Sequence, residues 1–304
     1  MAISRAQLVK ELEPGLNALF GLEYKRYDNQ HAEIYTNESS DRAFEEEVML
    51  SGFANANVKV EGSGVNYDQS QETYTARYTH DTIALAFAIT EEAIEDNLYD
   101  RISSRYTKAL ARSMSNAKQV KAAAPLNNGL PTADGFDSGD GVSLFNTAHT
   151  TVSGTNVKNT LTTQADLNET SLEQALIDIA AFTDERGLRV AAKGVKMIIP
   201  SANQFSAERL LKSQGRTGTA DNDINAVASM GMVPQGYRVN NFLTDSDSWY
   251  IITDCPNGMK MFTRAPLTTA MEGDFDTGNV RYKARERYSF GVSDYRGIFG
   301  VEGA

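Results

Sequence analysis

Leu8, Leu12, Leu16 and Leu19 recur at helical spacing through Ser4–Phe20, with Pro14-Gly15 interrupting the run. The spacing predicts a short amphipathic helix, packed on its own core or lying as an arm on another molecule. Tyr24–Glu38 is polar and aromatic and reads as extended. Phe53–Thr75 is rich in Asn, Gly, Gln and Ser, and Val58 and Val60 alternate just before Gly62-Ser63-Gly64. That pattern predicts a long hairpin with little core of its own, which needs outside support for its apolar side. Tyr78–Thr90 sets Ile83, Leu85, Phe87 and Ile89 against Ala84, Ala86 and Ala88, as expected of one buried strand.

Thr90 is a candidate N-cap, followed by Glu91, Glu92, Glu95 and Asp96 where a helix dipole favours negative charge. The stripe Ile94, Leu98, Ile102, Tyr106, Leu110, Met114, Ala117 and Val120 predicts a helix of roughly 50 Å, closed by Pro125 and Gly129. Its later part carries Arg101, Arg105, Lys108, Arg112, Lys118 and Lys121. A glycine-rich loop then marks a boundary. Beyond it, Leu172, Ala175, Leu176, Ile179 and Phe182 define a helix closed by Gly187, and Gly194–Pro200 reads as a strand entering a helix at Ser201–Ser213. Further strands are expected at Gly236–Val239, Trp249–Thr253 and Lys260–Thr263. The last element, Asn279–Val292, alternates Arg281, Lys283, Arg285 and Arg287 with Tyr282, Ala284, Tyr288, Phe290 and Val292. This mixed order fits an α+β fold better than a doubly wound sheet.

Four cations on one strand face are either a solvated surface or a stripe that meets carboxylates of another copy, with Glu45, Glu46 and Glu47 as candidates. The 304 residues, 41% hydrophobic and 23% charged, are ordinary for a folded chain with one large or two modest cores. No run of about eighteen apolar residues appears, and the start has no apolar signal core, so neither a membrane span nor export is expected. A net charge of −11 argues against free-standing nucleic-acid binding.

The chemistry-bearing residues form no familiar constellation. His31, His80 and His149 each stand alone and read as surface or packing residues, and the lone Cys255 reads as an inert thiol. Gly139 and Gly141 give only a fragment of a dinucleotide loop, and Gly62-Ser63-Gly64 lacks the nucleophile-elbow context. Asp221-Asn222-Asp223 opens like a calcium loop, but Ala226 replaces the turning glycine and Met232 the bidentate glutamate. No cofactor or metal is expected, and a soluble enzyme is the reading from a different class.

Several segments, in order, resemble the major capsid proteins of tailed bacteriophages, with the Hong Kong 97 type fold. They are TARYTHDTIALAFAITEEAIEDNLYD, SLFNTAHT, KGVKMIIPSANQFSAERLL and the stretch from Met259 to Gly300. The resemblance implies an N-terminal arm (1–43), an extended hairpin loop (44–78), a peripheral domain with a spine helix (79–150), an axial domain (151–265) and a C-terminal return strand (266–304). It further implies hexamers and pentamers of an icosahedral shell around double-stranded DNA, assembled in the host bacterial cytoplasm, with a portal and a possible decoration protein. The hairpin would reach over a neighbour, with Lys59 and Glu61 near its tip among the contact candidates. The chain enters its arm almost at Met1, so a separate scaffolding protein is expected. Some relatives crosslink a hairpin lysine to an asparagine; Lys59 finds no matching asparagine or assisting glutamate, so no crosslink is expected. The rival within the same fold is an encapsulin-type compartment holding a cargo enzyme. An acidic inner wall, which would not adsorb packaged DNA, is also expected.

Overall fold

The computed structural model describes residues 5–90, 92–93, 99–132, 135–216, 223–274 and 278–304. Two four-stranded sheets organise the chain. The first has the order β1 (Thr36–Ser39), β10 (Met259–Gly273), β11 (Val280–Val292), β4 (Asp81–Ile89). In it, β1 runs parallel to β10, and β11 is antiparallel to both of its neighbours. The second has the order β12 (Ile298–Val301), β9 (Trp249–Thr253), β7 (Gly194–Ile199), β8 (Tyr237–Val239), and only β7 and β8 are parallel. Two short ladders complete the set: β2 (Phe44–Leu50) with β3 (Glu72–Thr79), and β5 (His149–Thr150) with β6 (Asn156–Val157).

Two helices cover one face of the first sheet: α1 (Arg5–Lys25) and α2 (Tyr99–Asn128), the latter about 45 Å long. Leu16 and Phe20 of α1 meet Leu110, Ala111 and Met114 of α2 over Tyr282 and Ala284 of β11. The N-terminal segment is therefore docked on its own chain. Pro14 does not break it: α1 continues through the proline. Pro125 likewise lies inside α2, which runs on to Asn128. A side chain at Gly129 would sit 2.5 Å from the Pro125 carbonyl and 2.8 Å from Leu144, so the turn out of α2 needs glycine.

The apolar stripe read along α2 is only partly the buried one. Leu110 and Met114 are buried, but Tyr106 and Val120 are about half exposed. Steps of four residues advance 400°, so such a stripe drifts by about 40° per step around the helix. The packed face instead follows Ser103, Thr107, Leu110, Ala111 and Met114, then Ala122 and Leu126. Ile94 and Leu98 lie outside the described residues. Ahead of α2, which begins at Tyr99, the Thr90 hydroxyl accepts from the Ala93 N–H at 3.4 Å.

The second sheet packs on α3 (Glu169–Ala180), whose N-cap Asn168 and N3 Ser171 form a reciprocal capping box. Leu172, Ala175 and Ile179 of α3 join Met197 to Ile199 of β7, Trp249 to Ile251 of β9 and Phe299 of β12 in the main core. Leu126 of α2 and Phe145 reach into the same core, tying the two sheets together. α3 ends at Ala180, well before Gly187, which instead closes the Asp184–Leu188 turn at φ +84°. Two short helices complete the layer, α4 (Gln204–Lys212) and α5 (Ala226–Ser229).

The single buried strand expected over Tyr78–Thr90 is two strands with different partners. The chain bends at His80, held between Ser289 Oγ and Ser40 Oγ at 2.9 Å each, so that β3 pairs with β2 and β4 pairs with β11. β4 is an edge strand of the first sheet. Its three alanines and Leu85 are exposed, and within it only Ile89 is buried.

Candidate assembly surfaces

Beyond Leu50 the β2/β3 ladder opens into an excursion that makes no regular strand until Glu72. Its stem is tied at a few points. Ser51 N–H donates to the Gln71 carbonyl at 2.9 Å, and Ala54 N–H to Asp68 Oδ2 at 2.7 Å. The Arg186 guanidinium, from the turn after α3, donates to the Gln69 carbonyl at 2.5 Å and lies 3.4 Å from Asp68. Backbone N–H groups of Ala54 and Gln69 hold the Asp68 carboxyl below the usual range. From Asn55 to Tyr67 no hydrogen bond among the described residues holds the chain except at a turn over Val60–Ser63, with Gly62 at φ +81°. Val58, Val60, Val65 and Tyr67 are 93%, 70%, 68% and 98% exposed, and Lys59 and Glu61 stand in solvent beside them. Twelve extended residues from Leu50 to Gly62 span up to about 40 Å.

The alternation predicted for the last long strand is what β11 shows. Val280, Tyr282, Ala284 and Tyr288 are buried beneath α1 and α2, whereas Arg281, Lys283 and Arg285 are exposed on the opposite face and Arg287 is half-buried. Register places Ala88, Ala86, Ala84 and Thr82 of β4 directly beside these four cations. On the other side β10 supplies Glu272, Ala270, Thr268 and Ala265. The result is a row of cations about 6.7 Å apart, flanked at Lys283, Arg285 and Arg287 by low shelves of small side chains. Arg281 is paired with Asp274; among the described residues no carboxylate reaches Lys283, Arg285 or Arg287.

Three glutamates are candidate partners for that row, and their own chain already occupies them to different degrees. Ser40 Oγ donates to Glu45 at 2.7 Å, and Arg77 lies 3.8 Å from the exposed Glu46. Glu47 is committed: Lys260 Nζ sits 2.5 Å from its Oε1, and the Ser293 hydroxyl donates to its Oε2. Lys260 is 7% exposed and also meets Glu38 at 3.2 Å. Sequence reading missed this anchor because Lys260 and Glu47 lie on strands far apart in the chain. A second missed feature is Glu286, which falls on the buried side of β11, 2% exposed. Burial raises its pKa, while Lys118 at 3.2 Å and the Tyr24 hydroxyl at 3.3 Å work against that rise.

No group of side chains suited to a metal ion occurs among the described residues, and no helix among them is long and apolar enough to cross a membrane. All three histidines are packing residues. His31 is buried beside Phe290, and burial with the nearby Lys118 lowers its pKa to about 4. His149 Nδ1 meets Asp140 at 2.6 Å, its Nε2 meets Asn159 Oδ1 at 3.1 Å, and its ring stacks on Tyr295 at 3.9 Å. Burial pushes the half-buried Cys255 thiol up, away from nucleophilic use. In the calcium-like segment, Asp221 and Asn222 lie outside the described residues, while Asn225 caps α5.

Residues 73–301 match the family model described as phage capsid protein. No curated protein sequence is significantly similar to the chain. Among solved structures, the capsid of an empty GTA particle is 14% identical, covers 91% of each chain and superposes with a TM-score of 0.59. The capsid of Myoviridae phage XM1 is 12% identical over 89% of each chain, with a TM-score of 0.53. A virus-like particle from Pyrococcus furiosus is 10% identical, covers 94% of this chain and 98% of its own, and has the same TM-score of 0.53.

Proposed function

Because the chain belongs to the phage capsid protein family and has the Hong Kong 97 type fold, we propose that it is the head subunit that assembles into hexamers and pentamers of an icosahedral shell enclosing double-stranded DNA. The observation that carries this is the excursion at 51–71. Four large apolar side chains near its tip stand 68–98% exposed, and such a segment is a liability unless another copy covers it. A heterologous contact of this kind closes into rings when its rotation permits.

In this reading the excursion is the extended loop, α1 belongs to the arm, and α2 is the spine of the peripheral domain. The second sheet with its helices is the axial domain, and the strand after position 266 returns to the periphery. The β11 row Arg281, Lys283, Arg285 and Arg287 meets carboxylates of an adjoining copy. Glu45, Glu46 and Glu61 have accessible carboxylates for that role, and Lys59 adds a rim charge, whereas Glu47 is held by Lys260. The subunit catalyses nothing and works with a separate scaffolding protein, a portal and a decoration protein in the host cytoplasm. The second reading, a protein-filled compartment, is favoured by one observation: the Pyrococcus furiosus particle superposes as well as the XM1 capsid. The family match favours the phage head.

The test is electron microscopy of the purified chain, alone and with the scaffolding candidate, followed by analysis of particle contents. Closed shells or rings of five or six subunits are expected, with nucleic acid in particles from infected cells. A persistent monomer under all conditions would overturn the reading, and particles filled with one enzyme would move it to the compartment.

A further inference from the structure

The chain's negative charge is unevenly placed. From Arg101 to Asn128, α2 contains no aspartate or glutamate and carries six cations, in a protein of net charge −11. The last two already have partners in the chain, Lys118 the buried Glu286 at 3.2 Å and Lys121 the exposed Asp81. Arg105, Lys108 and Arg112 are exposed, and steps of three and four residues put them on one face of the helix. Among the described residues none of the three has a carboxylate within ion-pair distance; Arg112 rests near the ring of Tyr27, 5.8 Å from its centre. Beside them a shallow groove between α1 and α2 is lined by Tyr27, Ala109, Ser113 and Asn116 as well as Lys108 and Arg112. Glu23 also borders it, but turns to Arg26 at 3.5 Å.

This surface lies across the first sheet from the cationic row of β11, since α2 covers the face opposite Lys283 and Arg285. If β11 meets a neighbouring copy, the α2 stripe points the other way. We propose that the exposed face of α2, through Arg105, Lys108 and Arg112, contacts the phosphate backbone of the enclosed duplex DNA. The inference rests on the shell reading above and deepens it by assigning which side of the subunit faces the genome. Guanidinium and ammonium groups, with the Ser113 hydroxyl and Asn116 amide beside them, match phosphate oxygens and carry no base readout. An acidic amphipathic helix is the competing occupant, but the groove offers no large aliphatic side chains for its apolar face. The stripe interrupts the acidic inner wall expected from the sequence, and three contacts per subunit on an otherwise acidic chain hold DNA loosely enough for it to slide during filling.

The experiment measures binding of the full-length subunit to a labelled duplex by fluorescence anisotropy at several salt concentrations. Three released counterions give a salt slope of about −2.7, so the stripe's share of affinity should fall about 40-fold between 50 and 200 mM salt. The Arg105→Gln/Lys108→Gln/Arg112→Gln variant should lose that dependence, while Lys283→Gln/Arg285→Gln should keep it. Circular dichroism and thermal melting check that both variants fold. Unchanged binding by the triple variant, loss caused by the β11 variant, or no binding by the wild type would overturn the proposal. Displacement by polyglutamate at equal charge as effectively as by duplex would overturn it in favour of an acidic protein. Micrographs of the triple variant keep the two claims separate: intact shells with no change in DNA affinity would sink this inference and leave the shell reading standing.

Discussion

Replacing Glu47 with Gln should destabilise the protein by more than the partial exposure of Glu47 suggests, because the group left behind is Lys260. That ammonium is 7% exposed and is held at 2.5 Å by Glu47 and at 3.2 Å by Glu38. Breaking a buried ion pair by removing one partner costs about 3–5 kcal/mol when the remaining charge is stranded. Here Glu38 stays in place and the Glu47 side chain is 27% exposed, so the expected loss is about 2 kcal/mol. In a chain of this size that lowers Tm by about 3–6 °C. Burial alone would lower the Lys260 pKa, but its two glutamates outweigh that and raise it. A raised pKa stabilises the fold below the unfolded value and ceases to do so as pH rises through the folded value. The wild-type advantage should therefore narrow above about pH 10. Calorimetry and urea unfolding measure the loss, and hydrogen exchange should place it in β2 and β3, which Glu47 ties to β10. Adding Lys260→Met to Glu47→Gln should recover part of the stability, since no buried charge remains. A Tm within about 1 °C of wild type, or a double variant worse than the sum of the singles, would refute the anchoring argument.

Acidification should expose His31. Its pKa of about 4 lies below the unfolded value, so stability falls as pH drops from about 6.5 to 4, by about 2–3 kcal/mol, and His31→Leu should remove that slope in urea titrations. Asp140 has the opposite origin and a similar outcome. Burial would raise its carboxyl, but hydrogen bonds from His149 and Ser138 prevail and lower it. Its contribution is present above about pH 4 and lost as pH falls through its folded pKa. Asp140→Asn should therefore cost about 1–3 kcal/mol at neutral pH and progressively less in acid. Gly300→Ala would place a methyl group 2.5 Å from the fully buried Phe145 ring and should cost about 1–3 kcal/mol by thermal melting. Gly64→Ala, in open space at the excursion tip, is the matched control and should leave Tm unchanged. Deleting 55–67 and closing the stem with a short turn should leave the monomer folded, because no described hydrogen bond outside the excursion depends on those residues, yet abolish shells in micrographs.

The elements that local periodicity specifies were legible: the body of α2, the strand Trp249–Thr253, the helix after Pro200, and the in-out alternation of β11. What failed had a common cause, since partner choice is not a local property. Ile83, Leu85 and Phe87 read as buried from their alternation, but whether a strand is central or at an edge depends on which strands flank it, and β4 has only β11. Pro14 read as an interruption and Pro125 as a helix end, yet packing of Phe20 and Leu126 on either sheet outweighs the hydrogen bond each proline forgoes. Among the site residues, the cations of β11 could be found from spacing alone. That Glu47 is taken and Glu46 is accessible could not, because the deciding partner, Lys260, is encoded more than two hundred residues later.

That separation has a consequence in time. Among the described residues β1 pairs only with β10, with Thr36 beside Lys260, and α1 with its partner α2 lacks Tyr282 and Ala284 beneath it until β11 exists. At a synthesis rate of about 5–20 residues per second, β1 waits roughly ten to forty-five seconds on the ribosome for the strand that receives it. Until then the arm can rest only on α2, and the base of the excursion has no Lys260 to hold it. A nascent chain therefore cannot offer a finished surface to its neighbours on the same messenger RNA, and polymerisation is postponed until release by the order in which the chain is made.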